Sequence, residues 1–185
     1  MIKFVGSFET VESLPRTQFP EYAFIGRSNV GKSSLINAIA GSAVARTSKT
    51  PGRTRSLNLF NFGDRVMIAD LPGYGYAAVS KAEAQMWLER LEEYLLTRRQ
   101  LARLFVLIDS RVGIKESDLE LMGFCDANGI SYQIVMTKKD KKSKEKDKPR
   151  ISADRHPAMR AEILETSAEK KQGIEALRKI IIGKK

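Results

Sequence analysis

The sequence predicts an α/β protein built on a mainly parallel sheet. Short apolar runs rich in β-branched and aromatic residues recur along the chain, and helical patterns lie between most of them. Several runs are apolar almost without interruption, as strands covered on both faces are.

The runs are Tyr22–Ile25, Leu57–Phe60, Val66–Ala69, Leu104–Ile108, Tyr132–Met136 and Ile163–Leu164, six candidate strands too short to be helices. The second and third meet at Asn61-Phe-Gly-Asp64, a hairpin signal. One antiparallel edge strand is therefore expected in a six-stranded, otherwise parallel sheet, with helices on both faces. Ser80-Lys-Ala-Glu83 reads as a capping box, and Ala84, Trp87, Leu88, Leu91, Tyr94 and Leu95 follow at one-face spacing. Arg98 and Arg99 stand at that helix's carboxyl end, where cations are favoured. Another helix runs from about Ser117 to Asn128 with Gly129 as its stop, and a last one carries Ile174, Leu177, Ile180 and Ile181. Residues 1–20 read as an N-terminal extension packed on, or leading into, a single domain over 21–185.

At 185 residues and 42% hydrophobic, the chain closes one good core. No apolar run approaches the roughly 20 residues that a membrane span needs, and the opening MIKFVGSFETVE lacks the pattern of a signal peptide. The one cysteine, Cys125, excludes an internal disulfide and fits a reducing compartment. A cytoplasmic protein without a membrane partner is expected, monomeric by default. The formal net charge of +10 predicts attraction to polyanions, nucleic acid first.

The chemistry lies in Gly26-Arg27-Ser28-Asn29-Val30-Gly31-Lys32-Ser33, a match to G-x-x-x-x-G-K-[ST] with a strand before it and a helix after. A lysine at the positive end of a helix dipole is electrostatically costly unless something negative offsets it. A nucleoside triphosphate does so. Glycines let the backbone curl until successive N–H groups point at phosphate oxygens, Lys32 reaches the β- and γ-phosphates, and the Ser33 hydroxyl can ligate Mg²⁺. Three later stretches narrow the ligand. Asp70-Leu71-Pro72-Gly73 follows a strand, so its carboxylate emerges where such sheets bind ligands and can hold Mg²⁺ through water, with the Gly73 N–H facing the γ-phosphate. Thr137-Lys138-Lys139-Asp140 follows another. A carboxylate only accepts hydrogen bonds, and guanine offers two adjacent donors where adenine offers none, so Asp140 selects guanine. Thr166-Ser167-Ala168 follows the last strand, where small residues and backbone amides reach the guanine oxygen.

Each later motif alone is common in ordinary turns; four in this order, each at a strand end, are specific. The set resembles the Ras-like GTPases of the translation-factor class, and the resemblance implies a Ras-like P-loop GTPase fold. Arg46-Thr-Ser-Lys-Thr-Pro-Gly-Arg-Thr-Arg55 and Asp70-Leu-Pro-Gly-Tyr-Gly-Tyr-Ala77 narrow it to the EngB family of bacterial ribosome-assembly GTPases, with similarity from about Phe4 to Ile182. The resemblance implies binding of GTP and GDP with Mg²⁺, slow hydrolysis of GTP and action on the large ribosomal subunit or its precursor. It also places Gly52, Arg53, Thr54, Arg55 and Ser56 in the first switch segment, with Thr54 as a second Mg²⁺ ligand. Lys32 and Thr54 are then the catalytic candidates, together with Asn29.

Ras-type GTPases orient the attacking water with a glutamine just after DxxG; Tyr74 stands there, so turnover is expected to be slow. In related GTPases an asparagine at the position of Asn29 works with a monovalent cation, which makes K⁺ a candidate activator. An equal alternative is that Asn29 is present because it tolerates unusual backbone angles. Lys138–Arg150, KKDKKSKEKDKPR, is a candidate rRNA contact against the alternative of a solvated charge run, and it lacks the aromatics that base stacking needs. Cys125 and Trp87 read as core, His156 as structural or surface, and Tyr74 and Tyr76 as packing or partner-facing residues. Two rival readings are a P-loop kinase and a non-enzymatic rRNA-binding protein with GTP as a structural ligand.

Overall fold

The computed structural model describes residues 2–46, 56–74, 80–141 and 153–183. The chain runs β1 (Ile2–Phe8), β2 (Glu21–Gly26), α1 (Lys32–Ala40), β3 (Leu57–Phe62), β4 (Val66–Asp70), α2 (Lys81–Thr97), β5 (Leu101–Asp109), α3 (Glu116–Ala127), β6 (Tyr132–Thr137), a 3₁₀ turn (Ala153–Arg155), β7 (Leu164–Glu165) and α4 (Ile174–Ile182). Among the described residues the strands form one seven-stranded sheet in the order β1-β3-β4-β2-β5-β6-β7. Pairing is parallel from β4 through β7, whereas β3 is antiparallel to both of its neighbours.

The α/β class, the mainly parallel sheet and the antiparallel hairpin strand are as the sequence predicts, but the edge is not. A seventh strand, β1, pairs with β3 and covers it, so the antiparallel strand sits one place in from the edge. The β1 run is hard to read because Lys3 and Gly6 interrupt it and a bulge at Val5 breaks its alternation. Its partner, Leu57–Phe62, lies about fifty residues on, and only the closed sheet supplies it. The last strand also shifts: Leu164–Glu165 pairs with β6, and Ile163 lies outside it, half exposed.

Strand alternation divides the core. Ala23, Ile25, Leu104, Val106 and Ile108 face α2 and α3, meeting Leu91, Tyr94, Leu95, Met122 and Cys125. Phe24, Phe105 and Leu107 face α1 and α4, meeting Leu35, Ile36, Ile39, Leu177 and Ile181. Burying each of the larger aliphatic and phenylalanine side chains among them is worth about 1.5–3 kcal/mol. The Ser80 capping box forms in full at the start of α2. Trp87 is half-buried against the core, whereas Leu88, expected on the same stripe, turns outward. Cys125 is fully buried, and burial pushes its thiol up to about 12, consistent with an inert core residue. No helix among the described residues is long and apolar enough to cross a membrane.

The lower end of the sheet is fixed by a buried carboxylate. Glu21, at the start of β2, is fully buried; it accepts the Tyr94 phenol and Arg98, whose guanidinium lies 2.9 Å away and also donates to the Pro15 carbonyl at 3.0 Å. Arg98 therefore does more than meet the helix dipole; it clamps the end of α2 to β2 and to the segment before it. Glu21→Ala leaves the guanidinium buried without a counter-charge and is expected to cost about 3–5 kcal/mol of stability in urea denaturation. A loss below about 1 kcal/mol would show that the pair is dispensable.

Candidate nucleotide site

All four motifs stand at the carboxyl ends of strands. The first loop leaves β2 at Gly26, where a Cβ would lie 2.8 Å from the Leu107 carbonyl oxygen, so glycine is required. Asn29 (φ 60°) and Gly31 (φ 101°) take left-handed backbone, which curls the loop before α1 begins at Lys32. The alternative reading of Asn29 is thus realised in its backbone, while its side chain is exposed. Val30 is buried beneath the loop, and its N–H donates to the Arg27 carbonyl at 3.1 Å. Ser28 and Ser33 are partly exposed on it.

Lys32 forms an ion pair with Asp70, the carboxylate that ends β4. Both side chains are nearly covered, so the cation at the helix start has its negative offset within the protein. The segment after Asp70 is tied to the same loop: the Leu71 N–H donates to the Phe24 carbonyl at 3.0 Å, and the Ser28 N–H to the Tyr74 carbonyl at 3.2 Å. Pro72 and Gly73 lie buried between these tethers. Tyr74 is a packing residue. It is buried against Trp87 with ring centroids 6.4 Å apart, and its hydroxyl donates to Asp118 Oδ1 at 2.6 Å. Burial, and then the Asp118 charge, raise the Tyr74 phenol well above its ordinary range. Asp118, fully buried on α3, also faces Arg27 Nε at 3.5 Å and accepts the Lys115 N–H at 2.8 Å. Sequence reasoning missed this joint between the first loop, the DxxG segment and α3; the capping-box spacing Lys115–Asp118 was its faint signal.

The TKKD stretch is fastened to the first loop. The Thr137 hydroxyl donates to the Val30 carbonyl at 2.6 Å, and Lys138 Nζ donates to the Asn29 carbonyl at 2.5 Å and pairs with Asp109 at 3.0 Å. Asp109, at the end of β5, also takes the Arg111 guanidinium at 2.7 Å. Burial works to raise the Asp109 carboxyl, but the hydrogen bonds from Arg111 and Lys138 outweigh it and hold it at about 2. Asp140 accepts the Ser167 hydroxyl at 2.5 Å, and that bond leads in holding its carboxyl below the usual range. Thr166 and Ser167 are buried; the Thr166 N–H donates to the Met136 carbonyl at 2.7 Å, and the Lys139 N–H to the Thr166 carbonyl at 3.1 Å. Ala168 lies partly exposed beside them. Gly173 makes this approach possible, since a Cβ there would meet the Glu165 carbonyl oxygen at 2.1 Å.

Two sets of expectations fall elsewhere. Gly52, Arg53, Thr54 and Arg55, with Tyr76 and residues 142–150 of the basic run, lie outside the described residues; Ser56 is described and leads into β3. Within the described part of the basic run, Lys138 pairs with Asp109, Lys139 with Glu165 at 2.5 Å, and Lys141 with Glu169 at 2.7 Å. These lysines are committed to the site itself. Asn37, not singled out by the sequence, accepts the Val44 and Ala45 N–H groups at 2.9 and 2.7 Å, holding the chain that leaves α1. His156 is structural: its Nδ1 lies 2.7 Å from Asp126 Oδ2.

A sheet of this order, with a glycine-rich loop of P-loop pattern, a carboxylate beside its lysine, and a TKKD loop hydrogen-bonded to the first loop, defines a Ras-like P-loop GTPase. The family model described as "50S ribosome-binding GTPase" matches residues 21–138. Proteins named "Probable GTP-binding protein EngB" are similar along nearly the whole chain. That of Cereibacter sphaeroides is 47% identical, with 96% of this chain and 85% of that protein covered. That of Ruegeria sp. (strain TM1040) is 46% identical over 97% and 86%. The chain belongs to the EngB family of GTP-binding proteins. Among solved structures, a probable GTP-binding protein EngB superposes with a TM-score of 0.62 at 22% identity, covering 85% of this chain and 94% of that one. Era bound to MgGDPNP and a 16S ribosomal RNA fragment superposes at 0.62 and 22% identity, over 92% of this chain and 59% of that one. At that identity both likenesses speak for the fold.

The Asp109 carboxyl lies below its ordinary value of 3.8, so its pairs stabilise the fold above about pH 4 and lose that contribution as pH falls toward 2. The stability gap between wild type and Asp109→Asn, read by chemical denaturation, is expected to be full at pH 5–7 and to close between pH 4 and 2. A gap that does not change with pH would contradict this.

Proposed function

We propose that the protein is a GTP-dependent switch acting in assembly of the large ribosomal subunit in the cytoplasm, with slow hydrolysis of GTP as its timer. The observation that carries the nucleotide part is the fastening of the TKKD stretch to the phosphate loop through Thr137 and Lys138. It sets Asp140 and Lys32 at one rim, a base reader and a phosphate reader a few residues on either side of the joint. Phosphate oxygens compete with Asp70 for Lys32, and the N–H groups of residues 26–33 supply the remaining cradle. Asp140, oriented by Ser167, accepts from the guanine N1–H and 2-amino groups, and Thr166–Ala168 borders the guanine oxygen.

The donors at the rim suit Mg²⁺: they are hard oxygens, few in number, and among the described residues no cluster of three or more His, Cys, Asp or Glu competes for a softer metal. Ser33 and Thr54 would hold it directly and Asp70 through water. Its chemistry is to neutralise charge on the transferring phosphoryl group. Tyr74, held by Asp118, stands where the water-orienting glutamine of Ras-type enzymes would be, which is the basis for slow turnover. Asn29 has an exposed side chain that leaves a K⁺ role open to test; equal hydrolysis rates in sodium and potassium buffers would remove it.

The ribosome part rests on the family, the net charge of +10 and the likeness in fold to Era, which was solved with a 16S ribosomal RNA fragment. The basic run contributes to RNA contact through residues 142–150. The kinase reading loses ground because the chain belongs to a family of GTP-binding proteins and carries the TKKD and DLPG stretches at its strand ends. The second rival makes a different forecast: a switch binds large ribosomal particles with affinities that differ between its GTP and GDP forms. Sedimentation of purified large subunits with each form is expected to differ at least about tenfold in bound fraction, and equal binding would favour GTP as a structural ligand. Asp140→Asn is expected to weaken GTP by about 100-fold or more and to favour xanthosine triphosphate, read by titration. Unchanged GTP preference would refute the base assignment.

A further inference from the structure

Among the described residues, six cations of the nucleotide rim are neutralised within the fold. Lys32, Lys138, Lys139, Lys141, Arg27 and Arg111 each meet a carboxylate. At the opposite end of the sheet, where Arg98 is paired with Glu21, two further arginines are not. Arg103 lies at the start of β5, six residues before Asp109 and therefore about 20 Å from the rim. Its Nη1 donates to Gln133 Oε1 at 2.8 Å, while its Nε is buried without a hydrogen-bond partner. Gln133 is itself fixed, because its amide donates to the Glu162 carbonyl at 3.0 Å. Two residues earlier on the same face, Ser131 Oγ accepts Arg160 Nε at 3.1 Å.

Two guanidinium groups are thus aimed by neutral side chains of one strand end, and among the described residues neither has a carboxylate within 4 Å. Burial, and then the positive charge of Arg160, pull the Arg103 guanidinium below its ordinary range; the exposed Glu162 offsets this only in part. Arg16 and Arg99 are exposed at the same end, also without such a partner. Their segments are joined there: Arg98 and Gln100 donate to the Pro15 and Thr17 carbonyls, each at 3.0 Å. A fold that pairs its upper cations so thoroughly keeps these four available to an outside anion.

We infer that the face at the amino ends of β2, β5 and β6, centred on Arg103 and Arg160, docks the phosphate backbone of large-subunit rRNA. This deepens the ribosome reading and rests on it for the identity of the polyanion. Planar forks oriented by Gln133 and Ser131 suit phosphate oxygens, two donors to each group. Among the described residues the aromatics at this end are turned into the fold, Tyr22 stacking on Phe105, Tyr132 fully buried and Phe19 packed against the core, so the face reads backbone shape rather than base sequence. Docking by this end leaves the nucleotide rim open for exchange and for the switch segments.

The test compares wild type, Arg103→Gln/Arg160→Gln and the charge-matched control Lys3→Gln/Lys170→Gln. Binding to protein-free large-subunit rRNA and to purified large subunits is measured across a salt series, with GDP affinity as the check on folding. The arginine variant is expected to bind both RNA and subunits at least about tenfold more weakly than the control. The slope of log K against log salt should fall by roughly 1.5, with GDP affinity unchanged. Arg103→Lys, which keeps the charge and loses the fork, should fall between. If the double variant loses GDP binding, Arg160→Gln alone, which gives up only the Ser131 bond, should lower the slope by about half as much. Affinity and slope equal to the control would overturn the assignment while leaving the ribosome reading standing. Loss on subunits with naked rRNA binding intact would also overturn it, in favour of an acidic ribosomal protein. Wild type that binds neither probe would end the ribosome reading and this inference with it.

Discussion

The structure depends on joining a phosphate loop to a base-reading loop that is more than a hundred residues away in sequence. Glycine-permitted curvature brings the carbonyls of Asn29 and Val30 outward, and Lys138 and Thr137 donate to them. The joint exists because β2, β5 and β6 run parallel and end at the same level. Each loop then inherits its position from the strand beneath it. The close approaches at Gly26 and Gly173 follow from the same requirement, since any larger residue there would push a loop off its strand.

Charge is organised around this joint. A helix start, a lysine on it and further lysines from the base-reading stretch would repel one another in one place. Asp70, Asp109 and Glu165 answer them one by one. Asp118 does the same for Arg27 and binds Tyr74 as well, so the segment after Asp70 is coupled to the glycine-rich loop. At the far end Glu21 and Arg98 make a strongly buried pair, while among the described residues Arg103 and Arg160 have no carboxylate beside them.

Much of this was legible in the chain. The four motifs, the hairpin turn with Gly63 and Asp64 both at positive φ, and the capping box before α2 are local in their causes, and short stretches carry them. What escaped was long-range. The edge strand β1 gains its identity from a partner across the sheet. Arg98 looked like a dipole cation until Glu21 was beside it, and the Lys138–Arg150 run looked like a free basic surface until its first lysines met Asp109, Glu165 and Glu169.

By itself the sequence determined the class of fold, the order of the nucleotide motifs and the residue types proposed to read phosphate and guanine. These follow from spacing, backbone permission and the donor or acceptor character of single side chains. Tertiary structure alone decided which charges are spent on one another and which remain for a partner. Pairing depends on distances of a few ångströms between strands and helices far apart in the chain, and no local pattern encodes those distances.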